Sequence, residues 1–213
     1  MTGRRIVRAY IGLGANLGDP AATLSWAIRG LRDIPGLRVR DVSPLYATMP
    51  WGVTDQAEFR NAVAAIDSER HGREPETAAL DLLGRLKALE RAAGRRPGRR
   101  WGPRVLDLDL LLFGRHRISV ERTPDARSIE ADVDPAKRAK RLEVPHRDLG
   151  ERLFVLAPLA DLAPRLVPPG WSETVETRRR RVAVAEPPGS VRRVGAWEPA
   201  RAGWRPLEPP PRR

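Results

Sequence analysis

Apolar residues fall into short runs of two different periods along the chain, which predicts mixed strands and helices. Residues 7–12 form a brief β-branched and aromatic run, read as a buried strand. It runs into Gly12-Leu13-Gly14-Ala15-Asn16-Leu17-Gly18, which matches neither GxGxxG nor a Walker A loop and reads foremost as a strand-to-helix turn, with a phosphate loop as the alternative. Asp19 before Pro20 supplies an N-cap and a first helical residue, and Leu24, Ile28 and Leu31 give the helix an apolar stripe up to Pro35-Gly36. Residues 37–42 and 45–47 read as extended, 49–55 as a loop and 59–66 as a further strand. A second helix opens at Pro75 to Thr77, carries Leu80, Leu83, Leu86 and Glu90 at helical spacing, and stops at Gly94 before a basic turn. The clearest strand spans 105–113.

Beyond it the pattern weakens. Residues 115–143 are charged, of mixed sign and aperiodic, and read as an exposed loop, with an insertion at about 115–141. Residues 144–159 return to core-like composition, with a helix expected after Pro145-His146. The segment 170–213 holds seven of the 21 prolines and ten arginines against five glutamates, and reads as a partly disordered basic extension. Its three tryptophans, 171, 197 and 204, are the features that would anchor parts of it. Short elements in mixed order without a Rossmann period indicate an α+β domain over 1–169.

Composition narrows the chemistry. At 213 residues and 41% hydrophobic, the chain has material for one core. With no Cys, disulfides, thiolate nucleophiles and Cys-ligated zinc or iron–sulfur sites are excluded, and three His make a His-rich metal site improbable. No apolar run approaches the ~18 residues of a membrane span. The N-terminus has no signal-peptide core, so the expected location is the cytoplasm, without membrane contact. The net charge of +12 has two readings: an anionic partner, or the Arg bias of a GC-rich genome, since only Lys87, Lys137 and Lys140 are lysines.

The strand at 105–113 carries the candidate chemistry. Alternation puts Leu106, Leu108, Leu110 and Leu112 on one face and Asp107 and Asp109 on the other, about 7 Å apart from two rises of ~3.3 Å. Bare carboxylates on a core strand repel and lose solvation, so either arginines or a divalent cation must compensate them. Oxygen-only ligands suit Mg²⁺. Arg95, Arg96, Arg99, Arg100 and Arg104 lie just upstream, which is the complement of a metal–polyphosphate site. Trp101 offers a stacking face or a hydrophobic plug.

Five ordered blocks then resemble the hydroxymethyldihydropterin pyrophosphokinase family of folate biosynthesis. They are Tyr10-Ile11-Gly12-Leu13-Gly14-Ala15-Asn16-Leu17-Gly18-Asp19; Ser43-Pro44-Leu45-Tyr46 through Pro50-Trp51-Gly52; Asp55-Gln56 with Phe59-Arg60-Asn61; Arg100-Trp101-Gly102-Pro103-Arg104 with Leu106-Asp107-Leu108-Asp109; and Val144-Pro145-His146 with Arg152 to Leu159. The resemblance covers roughly residues 5–167 and implies a ferredoxin-like sandwich, mainly of antiparallel sheet. It also implies transfer of pyrophosphate from ATP to 6-hydroxymethyl-7,8-dihydropterin with release of AMP. Asp107 and Asp109 would hold two Mg²⁺, with Arg95 and Arg104 on the reacting phosphates. Lys87, Glu90, Arg100, Trp101, Arg104, Leu110, Arg141, His146 and Arg152 fall at ATP-contact positions. Thr48, Met49, Trp51, Phe59, Asn61, Trp101 and Phe154 fall around the pterin. The chain departs from the family at Pro97, where a second Arg is usual, at Lys87, where Gln is usual, and at Met49. Small-molecule substrates and a monomer follow. A catalytically degenerate relative, or an Arg-rich nucleic-acid binder using the basic tail, is the alternative.

Overall fold

The computed structural model describes residues 5–50, 55–97, 102–127 and 141–207. Its frame is a seven-stranded antiparallel sheet in the order β5-β1-β4-β3-β8-β9, with β2 also paired to β4. The strands are β1 (Ile6–Ala15), β2 (Leu37–Val42), β3 (Leu45–Thr48), β4 (Phe59–Glu69), β5 (Asp107–Phe113), β8 (Val191–Glu198) and β9 (Gly203–Pro206). A separate hairpin joins β6 (Ile118–Glu121) to β7 (Arg141–Val144). The helices are α1 (Pro20–Asp33), α2 (Pro75–Ala92), α3 (Leu153–Leu162) and α4 (Val175–Ala183).

Each face of the sheet has its own core. Val7, Ala9, Ile11 and Leu13 alternate along β1 and pack with Leu24, Ile28 and Leu31 of α1 and Leu83 and Leu86 of α2. Removing each such leucine from water contributes roughly 1.5–3 kcal/mol. Asp19 caps α1 by accepting the Ala22 N–H at 3.0 Å, and Pro20 fills the first turn, as the sequence predicts. The opposite face packs Val63, Leu111 and Leu112 against Leu149, Leu156, Leu159 and Val175 of the α3–α4 layer.

Leu112 therefore lies on the face opposite the one expected. Tyr10 pairs with Leu112 while Ile11 pairs with Leu110, so Leu111 is an extra residue in β5. This bulge reverses the alternation: Leu106, Leu108 and Leu110 keep the α1–α2 face, and Phe113 rather than Leu112 rejoins it.

Two segments hold more structure than composition suggests. Part of the stretch read as a loop, 115–143, forms β6 and the start of β7, because Ile118, Val120, Leu142 and Val144 alternate inward. The helix expected after His146 begins only at Leu153. Residues 170–207 of the basic extension supply α4, β8 and β9, and β8 pairs with β3. Trp197 and Trp204 stack edge to face at 4.8 Å between ring centroids and pack against the first core. The Trp204 indole N–H donates to the Ser43 carbonyl at 2.8 Å.

Tyr46 locks this added strand in place. Its hydroxyl donates to Asp161 at 2.6 Å and accepts from Arg193 of β8 at 2.9 Å, while Arg193 also pairs with Asp161. Burial, with Asp161 adding to it, pushes the Tyr46 phenol up to about 12. The folded state thus holds this proton more tightly than the unfolded chain. The associated stability is complete below pH ~10 and is lost as pH rises toward 12. A spectrophotometric titration should show a phenol ionising near pH 12 that vanishes in Tyr46→Phe; an unchanged curve for the variant would refute the assignment.

Candidate active site

The end of α2 positions the first half of the site. Gly94 adopts φ +82, a left-handed conformation that favours glycine. It closes the helix with paired bonds, Gly94 N–H to Arg91 carbonyl at 3.0 Å and Arg95 N–H to Glu90 carbonyl at 3.1 Å. This turn sends the Arg95 guanidinium back alongside Glu90. Arg95 Nη1 lies 2.8 Å from Glu90 Oε2 and donates to Asp107 Oδ1 at 2.6 Å. Arg104 Nη1 donates to the other Asp107 oxygen at 2.7 Å.

Lys87 and Glu90 are buried on the face of α2 that meets the free edge of β5. Glu90 Oε1 accepts the Leu108 N–H at 2.7 Å and Lys87 Nζ at 2.6 Å, and Lys87 also donates to the Leu108 carbonyl at 2.8 Å. The two side chains thus satisfy edge groups that would otherwise be orphaned. Burial pushes the Glu90 carboxyl up and nearby Asp107 adds to this, while Lys87 and Arg95 oppose it. For Asp107, burial also acts upward, but Arg104, Arg95 and Lys87 outweigh it and hold the carboxyl well below the usual range. Asp107 is therefore a fixed anion.

Asp109 is more open, with 38% of its side chain exposed and Lys87 Nζ 4.0 Å away. The register explains why both aspartates are accessible. Asp109 pairs with Gly12 and Asp107 with Gly14, on the same sheet face as Val63 and α3. The glycines read as a turn, Gly12 and Gly14, lie inside β1, and a Cβ on Gly12 would meet the Leu111 side chain at 3.4 Å. A Cβ on Gly14 would meet Asn61 Oδ1 at 2.9 Å. Asn61 pairs with Gly14 from the other side, so Asp107, Gly14 and Asn61 form one row across three strands, about 10 Å end to end.

Asn61 and Thr48 are buried, and the Asn61 amide donates to Thr48 Oγ1 at 2.7 Å. Phe59 lies half-buried on the same strand, whereas Met49 is exposed. Arg152, at the start of α3, donates to Asp148 at 2.5 Å and lies 5.8 Å from the ring centre of Phe154. Leu110 is buried in the core. His146 anchors its turn to β5 through its N–H on the Leu111 carbonyl at 2.9 Å. Arg141 is exposed and folds onto the hairpin, donating to Ser119 Oγ at 3.0 Å and to the Ser119 carbonyl at 2.6 Å. Trp51, Arg100 and Trp101 lie outside the described residues.

Two residues escaped the sequence-based assignment of roles. Asn16 is buried and ties both sides of the shelf together. Its amide donates to Gln56 Oε1 and the Ala57 carbonyl, each at 3.0 Å, and its oxygen accepts the Arg104 N–H at 2.7 Å. Arg122 follows β6, donates to the Arg141 carbonyl at 3.1 Å and has its pKa lowered by burial, with Asp109, Glu90 and Asp107 acting upward. Asn16 stands in a quoted block, but Arg122 carries no local sequence signal.

Sheet and helices place the chain among the α+β proteins. The sequence model of the 7,8-dihydro-6-hydroxymethylpterin-pyrophosphokinase family matches residues 10–164. The chain is 42% identical over 189 residues to the 2-amino-4-hydroxy-6-hydroxymethyldihydropteridine pyrophosphokinase of Methylorubrum extorquens, covering 88% of this chain and 99% of that one. It is 41% identical over 161 residues to the Pseudomonas aeruginosa enzyme of the same name, covering 76% and 83%. A solved Plasmodium falciparum HPPK-DHPS triple mutant superposes with a TM-score of 0.69 at 14% identity, over 96% of this chain and 50% of that one. The chain spans half the length of that structure, and the likeness shows the ferredoxin-like fold. The chain belongs to the 7,8-dihydro-6-hydroxymethylpterin-pyrophosphokinase family and is a pyrophosphokinase of folate biosynthesis.

Proposed function

We propose that the chain transfers the terminal pyrophosphoryl group of ATP to the hydroxymethyl oxygen of 6-hydroxymethyl-7,8-dihydropterin. The new bond joins that oxygen to the β-phosphorus, the bond from the β-phosphorus to the α–β bridging oxygen breaks, AMP leaves, and the hydroxyl proton is released. The row Asp107–Gly14–Asn61 supports this reading most directly: it sets an ionised carboxylate and a buried amide on one open shelf.

The donor set fits Mg²⁺. Asp107 and Asp109 offer carboxylate oxygens on one face, and Mg²⁺ is commonly held by one or two carboxylates together with substrate phosphates. No group of three His, Cys, Asp or Glu forms a protein-only metal cage among the described residues, which accords with a metal that arrives with its nucleotide. Asp107 and Asp109 would hold two such ions, which when bound would neutralise polyphosphate charge and acidify the attacking hydroxyl. Arg104 and Arg95 keep Asp107 ionised, and Arg104, part-exposed, is placed to meet phosphate oxygens. Lys87 and Glu90 act by fixing the edge of β5. Asn61 and Thr48 supply the directional bonds a pterin edge requires, and Phe59 and Phe154 flank it. The role of Arg152 and His146 is on the nucleotide side. Trp51, Arg100, Trp101 and Met49 complete the pocket by family resemblance.

The reading invokes a single copy of the chain, acting as a monomer. Catalysis resides in 1–169. The nucleic-acid alternative is weakened because Arg178 to Arg181 pair with Glu173 and Glu176. The test is AMP release from ATP with and without the pterin, in Mg²⁺ and after chelation. Release that needs both pterin and Mg²⁺ is expected. Pterin-independent release, or none from folded protein, would refute the proposal.

A further inference from the structure

β8 lies beyond residues 10–164, the stretch that the family model matches, yet it pairs with the strand that carries Thr48. Thr48 pairs with Val191 on one side and Phe59 on the other, and Ala47 pairs with Arg192 and Arg60. Paired residues share a sheet face and neighbours along a strand alternate. Arg192, Ala47 and Arg60 therefore form a row on the face opposite Thr48, Phe59 and Asn61. Ala47 is small and buried, and Arg192 reaches across it to Glu58, the residue before β4. Arg192 Nη1 donates to Glu58 Oε1 at 2.7 Å and Nη2 to Oε2 at 2.9 Å. Such a two-pronged pair fixes orientation as well as distance. Arg60 also faces Glu58, at 3.5 Å. The bonds from Arg192 hold the Glu58 carboxyl below its ordinary range, so the pair is ionised at neutral pH. At the end of β3 the Met49 N–H donates to the Ser190 carbonyl at 3.0 Å. The exit of β3 and the entry of β4 are thus both tied to the short stretch 190–192. On its other face β8 holds α3: Arg193 pairs with Asp161, and Val191 packs against the cluster of Tyr46, Leu153 and Ala157.

We propose that Arg192 is a positioning residue for the pterin-binding half of the site. Through Glu58 it sets how β3 meets the start of β4, and so where Thr48 and Asn61 stand relative to each other. It works from the reverse face of the sheet and touches no substrate. A recognition wall fixed in advance spares the ligand the cost of ordering it, so the benefit appears as affinity for the pterin. The catalytic groups stay within 1–169, and the chain beyond them braces one wall of the pocket. This rests on the proposed reading of the site, because a pterin docked against Thr48 and Asn61 is what makes their placement matter.

The test is steady-state AMP release by the full chain with each substrate varied in turn, for wild type, Arg192→Gln, Glu58→Gln and the double variant. The two side chains are 48% and 29% exposed, so the variants should fold, and melting curves check this. Each single variant is expected to raise the pterin KM about three- to tenfold, with the ATP KM and kcat within about twofold of wild type. The double variant should be no worse than either single one, because the pair acts as a unit. A pterin KM within about twofold of wild type in both single variants would overturn the proposal. So would additive effects in the double variant, or equal rises in both KM values. A fall in kcat with both KM values unchanged would also overturn it, since that is the mark of lost folded enzyme alone. Each of these results leaves the catalytic reading intact, whereas a folded wild type without pterin-dependent release would refute both.

Discussion

Asp109→Asn is expected to cut pterin-dependent AMP release by about a thousandfold or more while leaving the fold intact. A carboxylate that helps carry the charge of a transferring polyphosphate in a preorganised site has effects of this order. Its stability cost should stay below about 1 kcal/mol, since the side chain is 38% exposed and its ion pair among the described residues, with Lys87, stands at 4.0 Å. The isosteric amide keeps the volume and removes the charge. Asp107 would be a poorer choice, because both its oxygens are held by Arg95 and Arg104 and its loss would mix catalysis with folding. Steady-state AMP release and a melting curve on the same preparation decide the matter. Activity above a tenth of wild type would remove Asp109 from the reaction.

The contrast between these two aspartates also shows how far the sequence could be read. Period-two alternation correctly put Asp107 and Asp109 on the face opposite Leu106, Leu108 and Leu110, because a strand admits little else. It misplaced Leu112, since a single-residue bulge at Leu111 leaves no local mark. Gly12 and Gly14 invited a turn assignment on propensity alone. The space each leaves is used across the sheet, by Leu111 at Gly12 and by Asn61 at Gly14, and local sequence does not reveal it. Composition pointed toward partial disorder over residues 170–213, yet Trp197, Trp204 and the Tyr46–Asp161–Arg193 cluster tie the described part, 170–207, to the domain. Such long-range pairings outweigh a proline- and arginine-rich average, which measures only local cost. Lys87 was read only for the nucleotide, and its bonds to Glu90 and Leu108 show a task at the edge of β5 that spacing along α2 does not disclose.

Arg95→Ala should destabilise the protein by about 3–5 kcal/mol, the range for removing one partner of a buried ionic cluster. Arg95 is almost fully buried and bridges Glu90 and Asp107 through one nitrogen. Without it, the buried Glu90 carboxylate and the part-exposed Asp107 carboxylate lose their shared cation, with Lys87 and Arg104 as the remaining cations among the described residues. Arg95→Lys should rescue part of the loss, because the Glu90, Asp107 and Leu106 contacts, the last at 3.3 Å, all come from the single nitrogen Nη1, whose charge an ammonium restores. Glu90→Gln in the Arg95→Ala background should recover part of the loss, since it removes the repulsion, and a double-mutant cycle by urea unfolding measures that coupling. The pH dependence gives an independent reading. The folded Asp107 carboxyl lies below its unfolded value, so its contribution is complete above pH ~4 and is lost only as pH falls toward the depressed folded value. Removing Arg95 takes away one of the charges that depress it, so the acid-unfolding midpoint should move to higher pH. An acid midpoint identical to wild type, with urea stability also unchanged, would show that Arg95 does not hold the site together.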